Sequence, residues 1–179
     1  MKTSEVDPEL YKCKAISLAD DETVLHGYYS YHSSGSHNDH SILVDEYDDE
    51  IGRVYANMYE INPYTICRNT GIKIKNDYLY EFDLVLYRNG LSKSELGYVD
   101  FDDFQKSYVL RTSLNYTSYK ELRLFDLEKV GNIVLSHDDY KRMQKYSDER
   151  EVNHTPQPKV ECRSTQRLNK LAKQFLPRN

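Results

Sequence analysis

Alternating apolar and polar residues recur along most of the chain and predict a β-rich protein. The alternating runs have the length of strands and are rich in Tyr, Val, Ile and Thr. Strands are predicted at 11–18, 23–31, 41–46, 53–60, 96–101, 106–112, 121–125 and 129–135. The stretch 33–38 is rich in Ser, Gly and His, which is typical of a loop.

The predicted strand 53–60 has large side chains at almost every position. Side chains alternate between the two faces of a strand, so the residues divide into two sets. The sets are Val54, Ala56 and Met58 on one face, and Tyr55, Asn57 and Tyr59 on the other. Because both sets include large side chains, we expect other parts of the protein to cover both faces.

The stretch 61–86 combines a turn, strands and a hairpin. Pro63 fixes its own φ and favours extended geometry at the residue before it. Thr70-Gly71 and Asn76-Asp77 are residue types that tolerate left-handed backbone, so chain reversals are predicted at both places. An apolar series at strand spacing follows the first of them: Ile72, Ile74, Leu79, Phe82, Leu84 and Leu86.

The sequence of 61–86 reads I-N-P-Y-T-I-C-R-N-T-G-I-K-I-K-N-D-Y-L-Y-E-F-D-L-V-L. It resembles the core of the YopX family of phage and prophage proteins, whose pattern contains T-G-L-K-D-x-N-G-x-x-I-Y-E-G-D-I-V. Segments 24–29, 40–42 and 128–133 resemble other elements of that family, the last of them its E-V-I-G-N-I. Phe82 and Asp77 stand where the family has Gly, which predicts different turn types. The resemblance implies a β-rich fold and a phage setting, but no reaction.

These elements predict a mostly β fold, with an antiparallel or mixed sheet curled into a half-barrel or barrel and followed by C-terminal α-helices. Residues 1–10 are expected to be a flexible lead-in, and 11–149 a YopX-like domain. Its terminal helix is predicted to begin at Ser136, a hydroxyl N-cap with an acidic residue three positions later. Pro-containing residues 150–163 are typical of a linker.

Residues 164–177 predict an amphipathic helical tail. Its apolar side chains repeat at helical spacing and form one stripe, composed of Leu168, Leu171, Ala172, Phe175 and Leu176. A helix of this length is marginal alone in water, so the stripe requires a surface to pack against. That surface could belong to the same chain, a second copy or a target.

The charge of the chain is divided along its length. The net charge is −5, but residues 1–140 carry 14 basic and 25 acidic groups, whereas 141–179 carry 10 basic and 4 acidic groups. A basic tail either lies on the acidic body or binds an anionic partner. The chain has no long apolar run and no secretory leader, so we expect a protein of the bacterial host cytoplasm with no membrane contact.

Cysteine and tyrosine usage narrows the possibilities further. Cys13, Cys67 and Cys162 are odd in number and widely spaced, which disfavours disulfides and zinc and indicates buried apolar residues. Seventeen tyrosines without tryptophan fit either a sheet with a solvent-facing side or a recognition surface.

Two groups of side chains could carry chemistry. His32, His37 and His40 have the types needed for a metal site, but their spacing matches no metal template, so we predict no metal and no cofactor. Acidic residues at 45–50, at 81 and 83, and at 100–103 could bind magnesium or act as acid and base. A solvated strand edge explains these carboxylates more simply. No phosphate loop or nucleophile motif occurs, so we predict no enzymatic activity.

The leading hypothesis is an accessory protein of a phage or mobile element that binds a host or phage protein. One possible target is a host defence complex that processes nucleic acid, such as a CRISPR effector, whose basic groove an acidic surface could occupy. The alternatives are a nucleic-acid-binding regulator that uses the basic tail and a metal-dependent hydrolase, and self-association is possible. The interaction candidates are Tyr28, Tyr29, Tyr31, Asp48, Asp49, Glu50, Arg167, Leu168, Lys170, Leu171, Lys173, Phe175 and Leu176.

Overall fold

The computed structural model confirms a mostly β protein with two antiparallel sheets and one C-terminal helix. It describes residues 7–34, 37–48, 52–88, 94–112, 114, 119–122, 126–151 and 170. The chain divides into two compact units, Met1–Gly71 and Ile72–Asn179, a division that the sequence did not predict. Among the described residues, no helix is long and apolar enough to cross a membrane.

The strands follow one another closely along the chain. They are β1 (Lys12–Ile16), β2 (Val24–Ser34), β3 (His37–Asp48), β4 (Arg53–Glu60), β5 (Cys67–Ile74), β6 (Asp77–Tyr80), β7 (Asp83–Arg88), β8 (Glu95–Asp102), β9 (Ser107–Arg111), β10 (Tyr119–Glu121) and β11 (Asp126–Asn132). The helix α1 spans His137–Glu151, and 3-10 helices span Pro8–Tyr11 and Pro63–Thr65. Part of the expected lead-in is therefore a 3-10 helix, whose N-cap is Asp7.

One sheet has six strands in the order β4-β3-β2-β1-β5-β6, and the first unit contains its curled part from β4 to the first residues of β5. Beyond the end of β4, Ile61 bridges to Ser17, and the Leu18 N–H donates to the Glu60 carbonyl at 3.0 Å. The inner face of the curl holds a small core of Cys13, Ala15, Ile42 and Ile61. In the described residues neither sheet of the protein closes into a barrel.

The stretch 33–38 corrects the prediction of a loop. Strands β2 and β3 continue through most of it, and Ser33 pairs with Asn38 and Ser34 with His37. The two strands therefore form a long antiparallel hairpin, and the polar composition that suggested a loop belongs to the paired ends of its strands.

The bounds of β4 agree with the predicted strand 53–60, but the predicted covering is wrong. β4 lies at the edge of the sheet, and most of its residues are exposed. Val54 is 65% exposed and Met58 67%. Large side chains on both faces of this strand therefore do not indicate burial.

The second unit combines the β5–β6 hairpin, a five-stranded sheet of order β10-β9-β8-β7-β11, and α1, which contacts β8 and β11. The boundary between the two units lies within β5, so the second unit contains this strand from Ile72 onward. Its apolar cluster contains Leu79, Val85, Tyr87, Val99, Leu110 and Leu122.

The junction of β11 and α1 is tightly packed. The register of β11 against β7 shifts between Lys129 and Gly131, which brings Asn132 opposite Asp83. A Cβ added to Gly131 would lie 2.2 Å from the carboxylate oxygen of Asp139 that accepts from the Asn132 N–H, so a larger residue requires Asp139 to move. Ser136 caps the helix as predicted, since the Asp139 N–H donates to its Oγ.

The backbone at the two predicted reversals differs from expectation. Gly71 has a φ of 74°, but it lies inside β5 and the strand continues through it. At the second reversal the left-handed residue is Lys75, whereas Asp77 begins β6. Phe82 has a φ of 64° and is 2% exposed, so a buried aromatic residue adopts the left-handed backbone that favours Gly.

The predicted linker and tail fall largely outside the described residues. α1 extends to Glu151, slightly beyond its predicted end. Of the predicted tail helix, only Lys170 is described, and it is helical and exposed.

Candidate protein-binding surface

Two of the three acidic groups that formed a candidate catalytic edge are largely buried. Glu81, Asp83, Asp100 and Asp102 are 2%, 1%, 2% and 8% exposed, which corrects the interpretation of a solvated strand edge for these two groups. Asp45, from the group at 45–50, is exposed. Asp103 is only half-buried. Burying a carboxylate is costly unless it is paired or hydrogen-bonded, so their partners determine what these residues do.

Arg111 pairs with two of the carboxylates across neighbouring strands. Its Nε donates to Asp100 at 2.9 Å and its Nη2 to Asp102 at 3.3 Å, and the Arg111 side chain is 5% exposed. β8 and β9 place Asp100 and Arg111 near one another, since Tyr98 pairs with Arg111 and Asp100 with Val109. A guanidinium that donates to two carboxylates compensates their buried charge.

Asp83 lies in a second buried network. It accepts from the Tyr80 N–H at 2.8 Å and from Asn132 Nδ2 at 3.0 Å, and Lys129 Nζ lies 3.0 Å away. Burial raises the pKa of Asp83 above its ordinary value, and Lys129 and Asn132 oppose that increase. Burial alone would lower the pKa of Lys129, but Asp83 and Asp77 raise it overall. The side chain of Asn132 also accepts from the Val134 and Leu135 N–H groups.

Both carboxylate groups therefore have structural roles within the second unit. The carboxylate oxygens of Asp83, Asp100 and Asp102 accept hydrogen bonds from protein donors. Across the described ranges, no group of three or more His, Cys, Asp or Glu residues could hold a metal ion.

The histidines do not form a metal site where they are described. Tyr31 pairs with His40 and His32 with Asp39, so His32 and His40 point to opposite faces of the hairpin. The side chain of His37 lies outside the described part. Cys13 and Cys67 are buried, as predicted, and burial raises the pKa of Cys13 to about 11.

Instead, the hairpin assembles an aromatic cluster of Tyr29, Tyr31 and His40. The Tyr29 hydroxyl lies 2.6 Å from His40 Nδ1, and the rings of Tyr31 and His40 are 5.0 Å apart. Burial is the largest cause of a raised pKa at Tyr29. Tyr29 and Tyr31 remain 42% and 51% exposed. Tyr28 points to the other face, where Lys12 lies over its ring.

Besides the aromatic cluster, the first unit has an exposed strand edge. We define this open edge as residues 53–59 of β4. In the described residues, β3 is the single strand that pairs with β4 along this segment. One face of the open edge presents Val54, Ala56 and Met58, and all three are exposed. On the other face, Glu46 accepts from Asn57 and Tyr59, the former at 2.6 Å.

Exposed apolar side chains are concentrated in the first unit. Of the eleven large apolar residues that are exposed in the described residues, ten lie there and one, Phe104, lies in the second unit. The first unit carries 5 basic and 13 acidic groups, a net −8, whereas the second carries 19 and 16, a net +3. The first unit therefore combines a negative charge with exposed aromatic and apolar side chains.

A shallow groove of about 320 Å³ lies in the second unit between α1 and the sheet. Leu86 and Leu96 contribute apolar surface to it, and Arg142, Lys145 and Glu149 contribute charges of both signs. It is open and of mixed charge, so it does not define a ligand as clearly as the first unit does.

Of the remaining interaction candidates, the structure describes Asp48 and Lys170. Asp48 pairs through its backbone with Arg53 at the start of β4, and Asp49 and Glu50 lie outside the described residues. The same applies to Arg167, Leu168, Leu171, Lys173, Phe175 and Leu176.

Comparisons of the chain with protein-family models, with curated proteins and with solved structures gave no match. The resemblance to the YopX family therefore stays a prediction from the sequence.

Sequence reasoning missed Val54, Met58 and Arg111. The alternation in 53–60 correctly separated the two faces, but it could not show that β4 is an edge strand. Arg111 could have been found from the acidic residues of β8 and the single arginine of the next strand, had the pairing of the two strands been known.

Proposed function

We propose that this is a non-catalytic protein-binding protein whose first unit recognises its partner. The observation that carries the proposal is the concentration of exposed apolar and aromatic side chains in the first unit. Exposed apolar residues scattered singly are normal, but a tyrosine cluster and an open strand edge within one unit favour an interface.

The chemistry of this surface indicates the kind of partner. Tyr29 and Tyr31 combine large contact area with a polar hydroxyl and lose little side-chain entropy, which is why Tyr is enriched at binding hot spots. The net −8 of the unit favours a basic protein surface. Because basic grooves that bind nucleic acid gain much of their affinity from phosphate charge, an acidic protein can compete for them.

The resemblance to the YopX family supports a more specific form of the proposal. The protein is then a phage or mobile-element accessory protein that acts in the bacterial cytoplasm on a host or phage protein. A defence complex that processes nucleic acid, such as a CRISPR effector, is one such target. The curled sheet of the first unit is compatible with the half-barrel expected for that family.

Affinity capture tests the proposal. The intact chain is immobilised and exposed to bacterial host lysate at low and high salt, beside the double variant Tyr29→Ser, Tyr31→Ser. Tyr11→Ser is the control, since Tyr11 is 68% exposed and lies outside the aromatic cluster. We expect capture of a basic protein that weakens with salt and falls roughly tenfold in the double variant alone. Capture that is equal for all three proteins, or no capture at all, overturns the proposal.

Nucleic-acid binding is a second candidate because α1 exposes Lys141, Arg142 and Lys145 immediately before the basic tail. The intact chain should then bind a duplex or single strand with steep salt dependence. Removal of residues 150–179 should abolish that binding, and unchanged binding after the removal counts against this candidate.

A further inference from the structure

We propose that the open edge of β4 binds an extended partner segment with the pattern apolar, x, Lys or Arg, x, apolar. The inference rests on the proposed function and specifies the kind of partner segment and its mode of binding. It follows from the edge position of β4, the side chains on one of its faces, and a carboxylate on the strand behind it.

The backbone of the open edge provides the first requirement. A strand at the edge of a sheet presents unpaired main-chain groups, and an extended peptide can pair with them as an added strand. The end of β4 is already occupied, because Glu60 accepts from Leu18 and Ile61 bridges to Ser17. Residues 53–59 remain, which is long enough for a peptide of about six residues.

The side chains of one face provide the second requirement. Val54 and Met58 are 65% and 67% exposed, and Ala56 lies between them. Residues of an added strand that lie opposite Val54 and Met58 gain contact area if they are apolar, because cross-strand neighbours pack side by side. These two residues of the added strand are four positions apart, and the residue midway between them lies on the same face, opposite Ala56.

The carboxylate of Asp45, which pairs with Ala56 from β3, determines which residue type fits the middle position of the partner segment. Asp45 of β3 is the cross-strand partner of Ala56, and it is exposed. Strands lie about 4.8 Å apart, so a side chain opposite Ala56 must cross roughly 10 Å to reach Asp45. The small Ala56 leaves this path open, and only the long Lys and Arg side chains combine the required reach and charge.

The opposite face of β4 adds less selectivity. Its nearest carboxylate, Glu46, already accepts hydrogen bonds from Asn57 and Tyr59. A basic side chain arriving there would compete with those donors, whereas Asp45 lies exposed on the apolar face. The pattern is therefore set by Val54, Ala56 and Met58 together with Asp45.

Selection from a random peptide library tests the inference. The intact chain is panned against displayed nine-residue peptides beside the variants Asp45→Lys and Asp39→Lys. Asp39 is a matched control because it is an exposed aspartate on the same face of β3 but beyond the part that pairs with β4. Enriched peptides are then synthesised, and their affinities are measured by fluorescence anisotropy.

We expect the native chain and Asp39→Lys to enrich the stated pattern. Asp45→Lys should replace the central Lys or Arg with Asp or Glu and weaken the original peptides roughly 3- to 10-fold. A consensus without a basic centre, or one that Asp45→Lys does not change, overturns the inference. So does a concentration-dependent dimer in sedimentation that enriched peptides dissociate, because a second copy then occupies the edge.

These outcomes are separable from the capture experiment. If capture depends on Tyr29 and Tyr31 but peptides do not depend on Asp45, the proposed function stands and the strand-addition mode is wrong. If peptides follow the stated pattern but no partner is captured, the edge binds peptides without the proposed role for the aromatic cluster.

Discussion

The two units of this protein treat polar and apolar side chains in opposite ways. The first unit has a small core and leaves Tyr31, Val54 and Met58 in solvent, whereas the second buries Asp83, Asp100 and Arg111. Exposing apolar surface and burying charge both lower stability unless something compensates. In the second unit the compensation is internal, through ion pairs and hydrogen bonds. In the first, a partner can provide it, which is why we propose that this unit binds the partner.

The contrast between the two units predicts that the largest loss of stability follows a substitution of Arg111 in the second unit. Arg111→Ala removes the guanidinium and leaves Asp100 and Asp102 buried without it, so we expect a loss of about 4 kcal/mol in the free energy of unfolding. Urea denaturation measures this loss. Arg53→Ala is the matched control in the first unit, because Arg53 is exposed, and it should change stability by less than about 0.5 kcal/mol. Equal effects of both variants would remove the contrast between the units.

A smaller effect, with a characteristic pH dependence, is expected at Lys129. Lys129→Met removes the charge that holds down the pKa of Asp83, so that pKa rises further above its ordinary value. We expect a loss of about 2 kcal/mol at pH 7. A carboxyl whose pKa is raised by folding binds its proton more tightly in the folded state, so the variant regains stability as pH falls through the folded pKa.

Denaturation of Lys129→Met and the native chain between pH 4 and pH 8 checks the sign of that effect. The difference between the two proteins should shrink toward the acidic end. A difference that stays constant or grows as pH falls contradicts a buried, charged Asp83 at neutral pH.

Substitutions of Phe82 measure how much a left-handed backbone at this position costs in stability. The residue combines a left-handed φ with a ring that is 2% exposed. Both Phe82→Ala and Phe82→Gly lose the ring, but only Gly adopts the backbone without cost, so Phe82→Gly should be more stable than Phe82→Ala by about 1 kcal/mol. Thermal denaturation of the two variants isolates the backbone contribution, and Ala as the more stable of the two would refute it.

The smallest expected effect is in the first unit. Met58→Ser removes an exposed side chain, so stability should change by less than about 0.5 kcal/mol. Binding of the enriched peptides should nevertheless weaken several-fold, because the apolar contact at one end of the pattern is lost. A large loss of stability would show that Met58 belongs to the core rather than to a recognition surface.

Local patterns predicted much of the fold. Alternation identified most strands, with 53–60 matching β4, and Ser136 marked the start of α1 because a hydroxyl cap requires only nearby residues. Burial of Asp83 and Asp100 could not be predicted in this way. It depends on Asn132, which is 49 residues away, and on Arg111 of the next strand, and neither pairing is visible without strand register.

The candidate protein-binding surface could also be predicted only in part, because its open edge depends on strand pairing. Tyr29 and Tyr31 were identified from residue type alone, and their alternation correctly implies one shared face. The open edge was missed, because the edge position of β4 depends on which strand pairs with β1. That strand is β5, reached through the turn that contains Pro63.

The irregular register of β11 limits how this region can change in length. The shift between Lys129 and Gly131 adds one residue to β11 relative to β7, and it places Asn132 opposite Asp83. Deleting Val130 would remove this extra residue and leave Gly131 opposite Leu84 and Asn132 opposite Asp83 in a regular ladder. Inserting a residue after Gly131 would instead move Asn132 away from Asp83 and from the Glu81 carbonyl, to which it donates. Insertions after the register shift should therefore be far more damaging than the loss of Val130.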